Sequence, residues 1–191
     1  MNQYVAKMKT ALAGYHEKAK AAAAEIERAY SLYQREPAER EEQRIRDKLA
    51  KERQTAEAEI DAACNAALAD VKAWGTLDGA KMTDDVKLLE VGVTPKQFAD
   101  LVDKYQDNYT MLNALHRYAD NANRTAARDA HGFPTTYYDT AGIPTPEAKT
   151  ARWEKVYNGA RSMLTDLERG DAFTRSLAET GIDRWGENID I

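Results

Sequence analysis

The stretch from residue 5 to residue 33, VAKMKTALAGYHEKAKAAAAEIERAYSLY, carries apolar or small side chains at alternating steps of three and four residues. This spacing is the heptad pattern of a helix that winds against a partner helix. It therefore predicts one long α-helix with a continuous packing seam. The residues of this first seam are Val5, Met8, Leu12, Tyr15, Ala19, Ala22, Ile26, Ala29 and Tyr33.

A second seam follows and repeats every eleven residues. Its members are Ile45, Leu49, Ala56, Ile60, Ala63, Ala67, Val71 and Trp74. An eleven-residue period favours straight or weakly right-handed packing. Pro37 lies between the seams, and a proline lacks the backbone N–H that a helix interior needs. The sequence predicts two long helices that fold back on each other as a hairpin, with a continuous rod kinked at Pro37 as the alternative.

The second half of the chain has the start signals of shorter helices. Thr94-Pro95-Lys96-Gln97 combines an N-cap, a proline at the first helical position and a capping-box glutamine, so a helix should run from there to about Tyr105. The other expected helices span 84–90 behind an N-cap at Thr83, 108–121, 146–170 and 171–179. The predicted fold class is all-α, with a long coiled-coil-like hairpin at 1–74 and a bundle of shorter helices at 75–191.

The segment 131–146 is the one long irregular stretch and holds three of the five prolines. It gathers three aromatic residues, Phe133, Tyr137 and Tyr138. Long ordered loops often bind partners, so these residues form a candidate recognition loop. The alternative is that they cover the end of a helical core. Residues 135–138 are also the one place where the sequence admits a strand.

The charges favour exposed helix faces over a nucleic-acid site. Residues 39–53 contain six basic side chains, but five acidic ones interleave with them. Several acids stand four residues ahead of a base, which is typical of a solvated helix. The helices at 84–105 have the outline of a helix-turn-helix. However, residues 75–191 carry 14 basic and 19 acidic residues, a balance that opposes binding to phosphates.

The residues able to do chemistry are scattered. His16, His116 and His131 have no zinc-site spacing, and Cys64 lies in an alanine-rich run where it should pack as a small side chain. The sequence has no glycine-rich phosphate loop and no nucleophile elbow. We therefore expect no metal, no organic cofactor and no catalytic residue, and we identify no small-molecule ligand.

Composition excludes several classes of protein. The 191 residues have a net charge of -5 and a mean hydropathy of -0.71, and no apolar run approaches the roughly 20 residues of a membrane span. A single cysteine excludes an intrachain disulfide framework. The N-terminal segment lacks the apolar core of a signal peptide. The expected location is the cytoplasm of a bacterial host, or the virion, without a membrane partner.

Two parts of the sequence are similar to a known group of proteins. TDDVKLL at 83–89 with TPKQF at 94–98, and KYQDNYTML at 104–112, follow alanine-, glutamate- and lysine-rich N-terminal helices. Together they resemble small helical proteins of unassigned role from phages and prophages of Gram-positive bacteria. The resemblance covers most of the chain and rests on helix-start and packing residues. It implies a setting in phage assembly or prophage biology and carries over no catalytic residue.

These observations predict a non-enzymatic assembly or interaction protein that acts through helix–helix contacts, with a second copy or with a partner helical protein. The runner-up is a nucleic-acid-binding phage regulator that uses residues 84–105. A third class is an enzyme that acts through the 131–146 loop. The seam residues offered as the interface are Val5, Met8, Leu12, Tyr15, Ile26, Tyr33, Ile45, Leu49, Ile60 and Val71.

Overall fold

A computed structural model of the chain describes residues 3–169 and residue 181. This part of the chain is 78% helical and has no β-strand, so the all-α fold class is confirmed. Its six α-helices are joined by turns and by a long irregular segment at 126–145, with one turn of 3-10 helix at Gly79–Lys81. They are α1 (Gln3–Leu32), α2 (Arg35–Trp74), α3 (Val86–Val91), α4 (Pro95–Lys104), α5 (Tyr109–Thr125) and α6 (Pro146–Arg169). The helix expected at 171–179 lies outside the described residues.

The long helices α1 and α2 form the predicted hairpin, which turns at Tyr33 and Gln34. Pro37 is the third residue of α2, within the first turn, where a backbone N–H has no helical partner to lose. Proline is therefore tolerated there, and the break in the helix precedes it. The antiparallel arrangement brings Lys18 of α1 opposite Glu52 of α2, where Lys18 Nζ lies 2.5 Å from Glu52 Oε2.

The chain divides into two compact units, and the first joins distant parts of the sequence. Of the described residues, it combines 3–68 with 151–169. The hydroxyl of Tyr157 on α6 donates to Asp61 Oδ1 on α2 at 2.9 Å, and the rings of Tyr4 and Trp153 meet edge to face at 5.9 Å. The sequence predicts a single bundle over residues 75–191, whereas residues 151–169 belong to the unit of the hairpin. The buried face of α6 comprises Trp153, Val156, Ala160, Leu164 and Leu167.

The second unit, Ala69–Thr150, contains α3, α4 and α5 around its own core. The capping box at Thr94 and Gln97 is present, and α4 begins at Pro95 as predicted. Helix α5 runs four residues beyond its expected end, to Thr125. The core residues of this unit are Val93, Phe98, Leu101, Val102, Tyr105, Met111, Leu112, Leu115, Ala119, Tyr138 and Ile143.

The predicted start of α3 is wrong. The helix begins at Val86, and Thr83 does not cap it. The Thr83 hydroxyl instead lies 2.7 Å from the hydroxyl of Tyr105, which in turn donates to Asp85 Oδ2 at 2.6 Å. The Thr83 side chain, which the local pattern predicts as an N-cap, therefore makes a tertiary hydrogen bond with Tyr105 instead.

Within residues 3–169, no helix combines the length and the apolar character that crossing a bilayer requires.

Candidate interaction surfaces

Most of the ten seam residues are buried by the chain's own packing. Ile26 and Leu49 are half-buried, and Tyr33 is 55% exposed at the hairpin turn. A side chain that is already buried reaches a partner only if its own unit opens. The exposed surfaces beside the seams are therefore the candidates for contact with another protein. The seven buried residues are Val5, Met8, Leu12, Tyr15, Ile45, Ile60 and Val71.

A groove of about 200 Å³ opens between α1 and α2, midway along the hairpin. Ala21 and Ala22 line one wall, and their methyl side chains leave space that a larger residue would fill. Ile45 and Leu49 line the opposite wall. This combination of small residues, aliphatic surface and neighbouring helices suits the close approach of a further helix. The sequence pattern placed alanines on the seam but did not show that the groove is open.

The rim of this groove is charged and largely self-neutralised. Lys18 and Glu52 form an ion pair across it. The hydrogen bond from Lys18 lowers the pKa of Glu52, so this carboxylate stays charged at neutral pH. A partner helix that entered the groove would meet little net charge. Shape, rather than charge, would then decide which helices fit.

The hairpin turn exposes large apolar side chains. Tyr30 is 46% exposed and Leu32 is 63% exposed, beside the exposed Tyr33. The Tyr30 hydroxyl donates to Glu42 Oε2 at 2.6 Å, and this bond lowers the pKa of Glu42. The aromatic end of α1 is thus held against the first turns of α2.

The arginine-rich start of α2 is ion-paired along its own helix, as the spacing of its charges predicts. Arg35 Nε lies 2.9 Å from Glu39 Oε1, and Arg44 lies 2.5 Å from Glu41 Oε1. Such exposed pairs add little to stability because water screens them, but they place a carboxylate beside each guanidinium group. Further pairs join Arg40 with Glu36, Arg46 with Glu42 and Arg53 with Glu57.

A second groove, of about 330 Å³, lies between α3 and α4. Its floor contains Val93 and Leu101, each 9% exposed, and its walls contain Leu88 and Val91, which are 48% and 88% exposed. A sequence signal for it exists: α3 has only six residues, yet four of them are Val or Leu. One face of so short a helix cannot bury them all.

Helices α3 and α4 lie in the segment 84–105, which has the sequence outline of a helix-turn-helix. Lys104, which a recognition helix could offer to a phosphate, holds Asp85 Oδ2 at 2.6 Å. This bond raises the pKa of Lys104 and lowers that of Asp85. Lys87 on α3 is likewise paired with Asp84 at 2.7 Å. Both lysines are therefore neutralised by neighbouring carboxylates.

The aromatic loop separates into a buried and an exposed part. Tyr138 is 7% exposed and lies in the core, whereas Phe133 and Tyr137 are 66% and 57% exposed. Tyr138 therefore covers the end of the helical core, as the alternative interpretation of this loop predicts. The exposed rings of Phe133 and Tyr137 can still contact a partner. Residues 135–138 form no strand, because the one β-type pairing within the described ranges is an isolated bridge between Arg128 and Pro134.

The described histidine and cysteine side chains, which could take part in catalysis or bind a metal, do not lie close together. His16 is buried on α1, His116 Nδ1 lies 3.0 Å from Asp120 on the same helix, and His131 is exposed in the loop. Burial raises the pKa of the Cys64 thiol, so this thiol stays protonated at neutral pH. The described residues contain no group of three His, Cys, Asp or Glu side chains placed to hold a metal ion.

Comparison of the chain with protein-family models, with curated proteins and with solved structures found no match.

Proposed function

We propose that this chain is a non-enzymatic assembly or interaction protein that acts through helix–helix contacts in a phage or prophage setting. The observation that carries the proposal is the open groove between α1 and α2, with alanines on one wall and aliphatic side chains on the other. Small residues allow helix axes to approach closely, and such grooves receive helices. The phage setting is supported by the resemblance of residues 83–89, 94–98 and 104–112.

A second copy of the chain is the simplest occupant. In a closed two-fold dimer, each copy would lay a helix of its hairpin into the groove of the other, so that the same pair of surfaces meets twice. The neutral rim formed by Lys18 and Glu52 permits this, because two identical surfaces of one charge would repel. A helix of a different assembly protein is the other occupant.

The test is to fill the groove without disturbing the core. Ala21 is exposed and lines the groove, so Ala21→Arg should leave folding intact and block the contact. Ala50 is an exposed alanine of α2 that does not line the groove, and Ala50→Arg is the matched control. Light scattering should show a dimer for the natural chain and for Ala50→Arg, and a shift toward the 21.4 kDa monomer for Ala21→Arg.

Two outcomes would count against this proposal. A natural chain that stays at 21.4 kDa at high concentration would remove the second copy and restrict the proposal to a different helical protein. A dimer that both arginine variants weaken equally would place the contact elsewhere on the hairpin.

The nucleic-acid regulator has weaker support. Two of the three lysines between residues 84 and 107 are ion-paired within that segment, and the arginines at the start of α2 are paired as well. Phosphate binding depends on free cationic groups. We therefore rank helix–helix assembly above nucleic-acid binding.

A further inference from the structure

The groove between α3 and α4 stays open to solvent although its surfaces are apolar. Leu88 and Val91 on its walls are 48% and 88% exposed, above a floor that includes Leu101. Moving an exposed leucine or valine side chain from water into an apolar contact is favourable. Binding of a partner that covers both side chains would therefore be favourable, because it removes apolar surface that the isolated chain leaves in water.

The volume of the groove indicates what could enter it. An apolar cavity of roughly 150 Å³ accommodates a benzene-sized group. The groove measures about 330 Å³, which leaves room for two aliphatic side chains. On a helix, residues three or four positions apart lie on one face, so a single helix can supply two such neighbouring anchors.

The segment that forms the groove carries more acidic than basic side chains. Residues 84–107 contain six acidic and three basic side chains. Two of these bases are ion-paired, Lys87 with Asp84 and Lys104 with Asp85. Lys104 also lines the groove, where Asp85 holds its ammonium group. Asp100 lies on the groove wall and takes part in none of the ion pairs of the described residues. An approaching cation would therefore be attracted to this wall.

We propose that the groove between α3 and α4 binds an amphipathic helix of a partner protein that carries aliphatic anchors flanked by lysine or arginine. The anchors cover Leu88 and Val91 and reach toward Leu101, while a basic side chain pairs with Asp100. This site goes beyond the hairpin contact proposed above. It lies wholly in the second unit, so its test can fail or succeed independently of hairpin association.

The probe is a fluorescent peptide of about 18 residues with leucine along one helical face and lysine elsewhere. A second peptide replaces every lysine with glutamate, and a third keeps the composition of the first but spreads the leucines around the helix. Fluorescence anisotropy with the full chain should give micromolar binding of the basic amphipathic peptide. Binding of the other two should be at least about tenfold weaker, because each lacks one of the two features.

Variants of the full chain then locate the site. Asp100→Lys should weaken binding of the basic peptide about fivefold, as expected for reversing one exposed charge at the contact. Asp103→Lys makes the same change on α4 at a position that does not line the groove, and it should change binding less than about twofold. Val91→Asn, at an exposed position, should weaken binding by removing apolar surface without affecting the core.

Three results would overturn the proposal. One is equal binding of the basic and acidic peptides, and another is equal effects of Asp100→Lys and Asp103→Lys. The third is no peptide binding together with a concentration-dependent dimer that Val91→Asn dissociates, which would make a second copy the occupant.

Discussion

Tyr137 and Tyr138 are neighbours in the sequence with opposite environments, one 57% and the other 7% exposed. Successive side chains of an extended segment point to opposite sides. Asn123 decides which ring turns inward, because its side chain donates to the Tyr138 carbonyl and accepts from the Tyr138 N–H, both at 2.8 Å. Asn123 stands fifteen residues earlier, so the sequence showed the aromatic cluster but not which member joins the core.

The buried hydroxyl of Tyr138 closes a ring of hydrogen bonds. It donates to the Val93 carbonyl at 2.6 Å, while the Val93 N–H donates to Tyr118, whose hydroxyl lies 3.5 Å from that of Tyr138. Tyr138→Phe would leave the Val93 carbonyl without this donor and should lower the free energy of unfolding by about 1–2 kcal/mol. Urea denaturation of the natural chain and of Tyr138→Phe measures this difference in the free energy of unfolding. Tyr137→Phe is the control, and an equal loss in both variants would contradict the assigned role.

The same hydroxyl should make stability depend on alkaline pH. The hydrogen bond with Tyr118 and burial raise the pKa of Tyr138 from 10.0 to about 12. Because the folded state holds this proton more tightly, its contribution is complete below pH 10 and falls as the pH rises from 10 through 12. The difference in unfolding free energy between the natural chain and Tyr138→Phe should shrink across that interval. A difference that stays constant there would contradict this assignment.

At the scale of the helix, the second seam acts inside the first unit as far as Ala67. Ile60 is fully buried, and the seam that contains it runs through a unit completed by α6. Ile60→Asp should therefore destabilise the fold by at least about 3 kcal/mol, because it creates a cavity and buries a carboxylate. Ala50→Asp, at an exposed position of the same helix, should cost less than about 1 kcal/mol.

Thermal denaturation measures the stability of both variants. Light scattering, at a temperature where each variant is folded, measures their association. If Ile60→Asp dissociated the protein without lowering its melting temperature, the seam would be an intermolecular contact after all.

Local signals predicted the helices wherever the deciding partner is close in the sequence. The box at Thr94 and Gln97 closes within three residues, and the α4 start was correct. Thr83 failed as a cap because its hydroxyl contacts Tyr105, 22 residues away. The periodicity of the seams predicted the hairpin in the same way. The open grooves were not foreseen, because they depend on how side chains from two helices fit together.

At the scale of the whole molecule, the balance of charge argues against duplex DNA as a partner. Residues 75–191 have five more acidic than basic residues, and the arginines at the start of α2 are ion-paired. Binding to duplex DNA at about 150 mM salt should be no tighter than about 1 μM and should not depend on sequence. A gel-shift series with one specific and one random duplex measures it.

One result would contradict the prediction of weak binding to duplex DNA. Submicromolar binding that Arg44→Glu with Arg53→Glu abolishes would favour the nucleic-acid regulator. Tyr137→Phe in the same assay is the control for changes that leave charge unaltered.

The composition of the first unit from two separated stretches has a consequence for synthesis on the ribosome. Tyr157 and Asp61 meet across 96 residues, so the hairpin emerges well before the helix that completes its unit. About 80 residues intervene between Leu68 and Ala151, and elongation at roughly 5–20 residues per second makes this delay about 4–16 s. During that interval the apolar partners of α6 are exposed on a nascent chain. We therefore expect chaperones to bind the hairpin during synthesis, and chains that terminate before α6 to be degraded rapidly.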